Sequence, residues 1–123
     1  MDPLNKKIDN GTVVLTDAAV WKAIGPRINL NGRRAVIHGH NGAGAITDIR
    51  ISSTAVGDGV LIPLATGADL NAVVEPIRAV RPAYPACLAA GCDWEIDLDP
   101  HAADILVEAK AAASSLTLTG MVL

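Results

Sequence analysis

Hydrophobic and polar residues alternate without a slip from Cys92 to Asp99. Trp94, Ile96 and Leu98 fall on one side, and Asp93, Glu95, Asp97 and Asp99 on the other. Successive side chains of a strand point to opposite faces, so the pattern predicts a half-buried β-strand, apolar inside and acidic outside. Other stretches repeat the period of two. Thr12–Thr16 is a β-branched strand, and Arg27–Leu30 and Arg33–His38 are joined by the tight-turn signal Asn31-Gly32. Ala45–Ser52 alternates, as do Val60, Ile62 and Leu64, where Pro63 marks an edge or a bulge. Ser114–Leu123 reads as strand throughout.

Some stretches carry conflicting signals. Asp17–Ile24 predicts a short helix, capped by Thr16 or Asp17 and stopped by Gly25-Pro26. His38–Gly44 is glycine-rich and predicts a loop. Asn71–Val80 contains Pro76, which disfavours a helix more than an edge strand, so strand is expected. Ala86–Leu88 should pair with Cys92–Leu98 as a hairpin around Ala89-Ala90-Gly91. Asp99-Pro100 is a good helix start, but Asp104–Ala109 fits an acidic-flanked strand between strand-like neighbours, and strand is preferred. The first ten residues are polar and aperiodic, and predict an extended arm preceding one domain over residues 11–123. Strands about 8–12 residues apart with one short helix near the start predict an all-β fold. The expected form is an antiparallel β-sandwich of about eight strands with jelly-roll-like connections.

Composition sharpens this picture. Of 123 residues half are hydrophobic, yet there is no Phe, one Tyr (Tyr84) and two Trp (Trp21, Trp94), so the core must be aliphatic. A net charge of −3 argues against nucleic-acid binding, which needs a basic stripe. No apolar run approaches the roughly 18–20 residues of a membrane span, and the first residues lack a signal-peptide core. The product is expected to be made and kept in the cytoplasm, or carried out inside an assembly. Cys87 and Cys92 bracket four residues, so a cross-hairpin disulfide is conceivable, but unpaired thiols in a reducing compartment are expected.

Candidate chemistry is sparse. His38 and His40 could chelate a metal with a third ligand such as Asp48 or His101, but none stands at a diagnostic spacing, so a plain glycine loop is expected. The glycines after His40 lack the Lys and the helix of a phosphate-binding loop. There is no Gly-x-Ser-x-Gly elbow. No catalytic residue, cofactor or metal is therefore assigned. The carboxylates of the 92–99 stretch read as a solvated face or as a docking surface, with Glu95 and Asp97 as its interface candidates. Trp94 reads as core. Trp21 reads either as an interface anchor or as a cap on one end of the fold.

The ends of this pattern, Gly11-Thr12-Val13-Val14-Leu15-Thr16 and Ser115-Leu116-Thr117-Leu118-Thr119-Gly120, resemble those of small virion proteins of tailed bacteriophages. The closest group is the head decoration or cement proteins. The resemblance is one of general character and transfers no functional residue. It implies a non-enzymatic virion protein, often a homotrimer, that binds the major capsid protein on the outside of the shell. On that reading Leu4, Lys6 and Lys7 of the arm join Trp21, Glu95 and Asp97 as interface candidates. The rival expectations are a carbohydrate- or receptor-binding module, a tail or neck component, and a small metal-dependent jelly-roll enzyme built on His38 and His40.

Overall fold

A computed structural model describes residues 6–54, 60–71, 77–99 and 104–123. The strands are β1 (Lys6–Ala23), β2 (Ile28–Asn29), β3 (Ala35–Asn41), β4 (Asp48–Thr54), β5 (Leu61–Thr66), β6 (Ile77–Arg81), β7 (Asp93–Leu98) and β8 (Asp104–Val122). Two short 3₁₀ turns, Gly67–Asn71 and Ala86–Leu88, interrupt them. All pairings are antiparallel and belong to one curled sheet.

The 19-residue β8 organises that sheet. β1 runs along one of its edges, from Lys6 opposite Val122 to Ala23 opposite Glu108, and β2 continues at Ile28 opposite Ile105. Along the other edge β3 covers Leu116–Val122 and β4 covers Ile105–Lys110. The intervening 42–47 loop follows the same edge. Gly42 N donates to Ser115 O at 2.8 Å, and Thr47 N to Lys110 O at 2.8 Å. β7 and β6 extend the sheet beyond β3, and β5 extends it beyond β4.

β8 can serve both halves because its inward phase slips midway. Ile105, Val107, Ala109 and Ala111 are buried, and so are Leu116, Leu118 and Val122, while Ala112 and Ala113 between them are exposed. The step from 111 to 116 is odd, so a straight strand would turn one of the two sets outward. The ladder to β1 shifts at this point, between Leu15 and Asp17. The chain passes close by: a Cβ on Gly44 would lie 2.0 Å from the carbonyl oxygen of Ala113, so only glycine fits. Asn10 then ties the ends of β1 together, its Nδ2 donating to Ile24 O at 2.9 Å.

One hydrophobic cluster fills the curl. Trp94, Ile96 and Leu98 are buried in it with Leu116, Leu118, Ile105 and Val107, as the alternation predicts. Fully burying a Leu, Ile or Val contributes about 1.5–3 kcal/mol, so this cluster is the main stabilising term. Trp94 pairs with Gly39, whose missing side chain makes room: a Cβ there would fall 2.0 Å from the indole ring. Trp94 Nε1 donates to Asn41 Oδ1 at 2.9 Å, and Asn41 Nδ2 donates to Cys87 O at 2.7 Å and Ala89 O at 2.9 Å. This chain of bonds fastens the 86–92 segment to the core and satisfies a completely buried amide.

Several expectations are corrected. The described residues form an all-β, antiparallel fold of eight strands in a curled sheet, and among them no helix stands near the N-terminus, where one was expected. The predicted 17–24 helix lies almost wholly in β1. Asp17 does cap a turn, its Oδ1 accepting from Ala19 N at 2.8 Å. The turn does not propagate, because Lys22 rejoins the ladder opposite Ala109 and leaves Ala18–Trp21 as an excursion. One turn makes too few hydrogen bonds to offset helix nucleation, and pairing with β8 prevails. Of the predicted arm, Lys6–Asn10 belong to β1, and Lys6–Asp9 pair with β8. His38–Asn41 are strand rather than loop. Ala86–Leu88 form a 3₁₀ turn rather than a hairpin arm. The strands expected over 60–64 and 104–109 are present, with the ladder shift that Pro63 announces between Ile51 and Ser52. Of the stretch Asn71–Val80 read as strand, Ile77–Val80 are strand, which runs on to Arg81, Asn71 ends a 3₁₀ turn, and residues 72–76 fall outside the described residues.

Candidate functional site

The polar outer face of β3, β7 and β8 concentrates the groups capable of chemistry. Register sets their positions. His40 lies opposite Asp93 on one side and Thr117 on the other, and His38 lies opposite Glu95 and Thr119. These side chains, over Gly39, line a shallow cleft. His40 Nδ1 is 2.5 Å from Asp93 Oδ1, and His38 Nδ1 is 4.0 Å from Glu95 Oε2. Both imidazoles stay more than half exposed, at 58% and 54%. Thr12 completes the outer row, its hydroxyl 2.7 Å from that of Thr117.

The acidic row is matched by cations from neighbouring strands. Arg81 Nη2 donates to Glu95 Oε1 at 2.7 Å, and this bond raises the guanidinium pKa above its ordinary value. Arg34 grips Asp97 with Nε and Nη2, the shortest contact being 3.1 Å. Arg78 reaches Asp99 at 3.6 Å. The expectation of a solvated or docking carboxylate therefore fails at Asp97. Its side chain is only 10% exposed and is committed to an ion pair within the chain. Glu95 is partly exposed and shared between Arg81 and His38. Asp93 is the open member of the row, at 84% exposure.

The counter-charges carry a signal in the sequence. Arg34, just ahead of β3, and His38 and His40 within it fall on even positions, in the same period of two that spaces the acids of β7. Asn41 had no such signal, because a polar residue beside a glycine run looks like a loop residue.

The remaining candidates are scattered. Trp21 lies in the β1 excursion, with Arg50 Cζ and Lys110 Nζ each 4.5 Å from its ring centroid. Arg50 in turn binds Glu108 at 2.8 Å. Leu15, Thr16, Asp17, Val20 and Lys22 line a cleft with the indole. Val14 and Val20 are 60% and 56% exposed, and Lys22 Nζ donates to Val14 O at 3.0 Å. Lys6 and Lys7 are exposed at the start of β1 beside Arg27. Leu4 lies outside the described residues, as does His101.

Asp48 pairs opposite Lys110, on the other half of β8 from the histidines. Among the described residues no group of three or more His, Cys, Asp or Glu is already gathered to hold a metal. Cys87 and Cys92 are unbonded. Burial pushes the Cys87 thiol pKa up, which makes it a poor nucleophile at neutral pH. Among the described residues no helix is long and apolar enough to cross a membrane.

No family model, no curated protein and no solved structure matches the chain.

Proposed function

We propose that the chain is a non-enzymatic virion protein of a tailed bacteriophage, a decoration or cement protein that binds the outside of the capsid as a homo-oligomer. The observation that carries this reading is the apolar outer surface of β1. Val14 and Val20 are exposed at 60% and 56%, beside a cleft with Trp21 on its wall. Exposed apolar groups around an aromatic anchor, rimmed by polar side chains, are the usual make-up of a protein-binding patch. Three of the four carboxylates of the acidic row, by contrast, are paired with arginines within the chain, so that face offers less to a basic partner. A sandwich-like or jelly-roll-like arrangement of the two halves of the curl suits such a role, since a shell-reinforcing protein needs rigidity and a docking face. Repetition over a lattice lets each contact be weak.

Co-sedimentation with shells assembled from a major capsid protein of the same genome tests the proposal. Saturable binding is expected, weakened at least about tenfold by Val20→Asp or Trp21→Ala, a loss of roughly 1.4 kcal/mol. Light scattering should show a trimer. Absence of a capsid gene in the neighbourhood, or a strictly monomeric chain that stays in the supernatant, overturns it.

A further inference from the structure

Sequence spacing offers His38 and His40 no third ligand, but the sheet supplies one from the neighbouring strand. Because 38–41 is strand, both imidazoles project from one face, two residues apart, about 7 Å along the chain. Asp93 faces His40 directly across the ladder, where Cβ atoms of paired residues stand about 4.5–5.5 Å apart. Two side chains at i and i+2 and a third from the adjacent strand form a triangle that can close on one ion at about 2.0–2.2 Å from each ligand atom.

We propose that His38, His40 and Asp93 form a binding site for a divalent late first-row transition ion, Cu²⁺ most tightly and Zn²⁺ more weakly. Three features favour this set. Asp93 is the carboxylate of the row without an arginine on it: Glu95 and Asp97 are held by Arg81 and Arg34, and Asp99 by Arg78. The three side chains are each more than half exposed, so they can turn from their present pairing toward a shared ion without disturbing the core. Thr117 and Thr119, which line the cleft beside the two imidazoles, are short, so the cleft above the sheet has room for the ion and its waters. Two imidazoles and a carboxylate suit zinc and copper, and copper leads in the order of divalent affinities. The site is open on its outer side, so water completes the coordination. The expected affinity is micromolar, well short of a preformed buried cage.

Calorimetric titration of CuSO₄ and ZnCl₂ into the full-length protein, prepared without a histidine tag, tests this. One equivalent of Cu²⁺ is expected, with nitrogen hyperfine structure from two imidazoles in the electron paramagnetic resonance spectrum. His38→Ala and His40→Ala should each weaken Cu²⁺ at least tenfold, and Asp93→Asn about tenfold, with circular dichroism unchanged. Cys92 adjoins Asp93 and is a rival ligand, so Cys87→Ser/Cys92→Ser must retain the affinity. Binding that survives loss of either histidine, vanishes with the cysteines, or saturates at half an equivalent by bridging two chains overturns the proposal. So does the absence of saturable binding below millimolar concentrations.

Discussion

Trp94 is the residue on which the two faces of the sheet depend. Its ring occupies the space that Gly39 leaves, and its indole nitrogen anchors Asn41 and through it the 86–92 segment. Trp94→Ala should cost about 3–5 kcal/mol, from lost burial and a cavity. Gly39→Ala should cost about 1–3 kcal/mol, because a methyl group cannot share space with the indole. In the Trp94→Ala background the Gly39→Ala cost should nearly vanish, since the clash is then gone. Urea denaturation of the two single variants and the double variant measures this coupling, and additive losses would contradict the contact. The role of Trp94 was legible in the alternation of 92–99. The role of Gly39 was not, because a glycine between two histidines reads as a loop until the facing residue is known.

At the scale of the element, β7 shows how one pattern can hide two roles. Its outward carboxylates look equivalent along the chain, yet Asp97 is buried under a half-exposed Arg34 while Glu95 stays partly exposed. Removing one partner of a buried charge-assisted pair costs more than removing an exposed one. Asp97→Ala should therefore destabilise by about 1–3 kcal/mol, and Glu95→Ala by less than about 1 kcal/mol. Thermal denaturation of both variants checks the order, and equal losses would refute it. β1 teaches the complementary lesson. Its Asp17 cap was legible and does form, but the cap does not make a helix. Whether a capped turn grows depends on what lies beside it, and here a long strand offers continuous pairing on either side of the excursion.

For the whole molecule, closure depends on contacts remote in sequence. Thr12 meets Thr117 from 105 positions away, and β8 carries β1 on one edge and β3 and β4 on the other. Deleting residues 116–123 removes Leu116, Leu118 and Val122 from the core, the partner of about half of β1 and one of the two partners of β3. That truncation should abolish the cooperative unfolding transition rather than trim its stability, as calorimetry would report. A sharp transition in the truncated chain would show that the other half folds by itself.

The sequence by itself determined the period of two, the aliphatic core, the all-β class and the inward placement of Trp94, Ile96 and Leu98. These follow from side-chain type and from the alternation of a pleated strand, both local properties. Only the tertiary structure decided that 104–122 is one bent strand with partners on both edges, that 17–24 does not coil, and that Asp97 is paired while Asp93 stands open beside His40. Register between strands settles each of these, and register is set by which distant residues can be buried together.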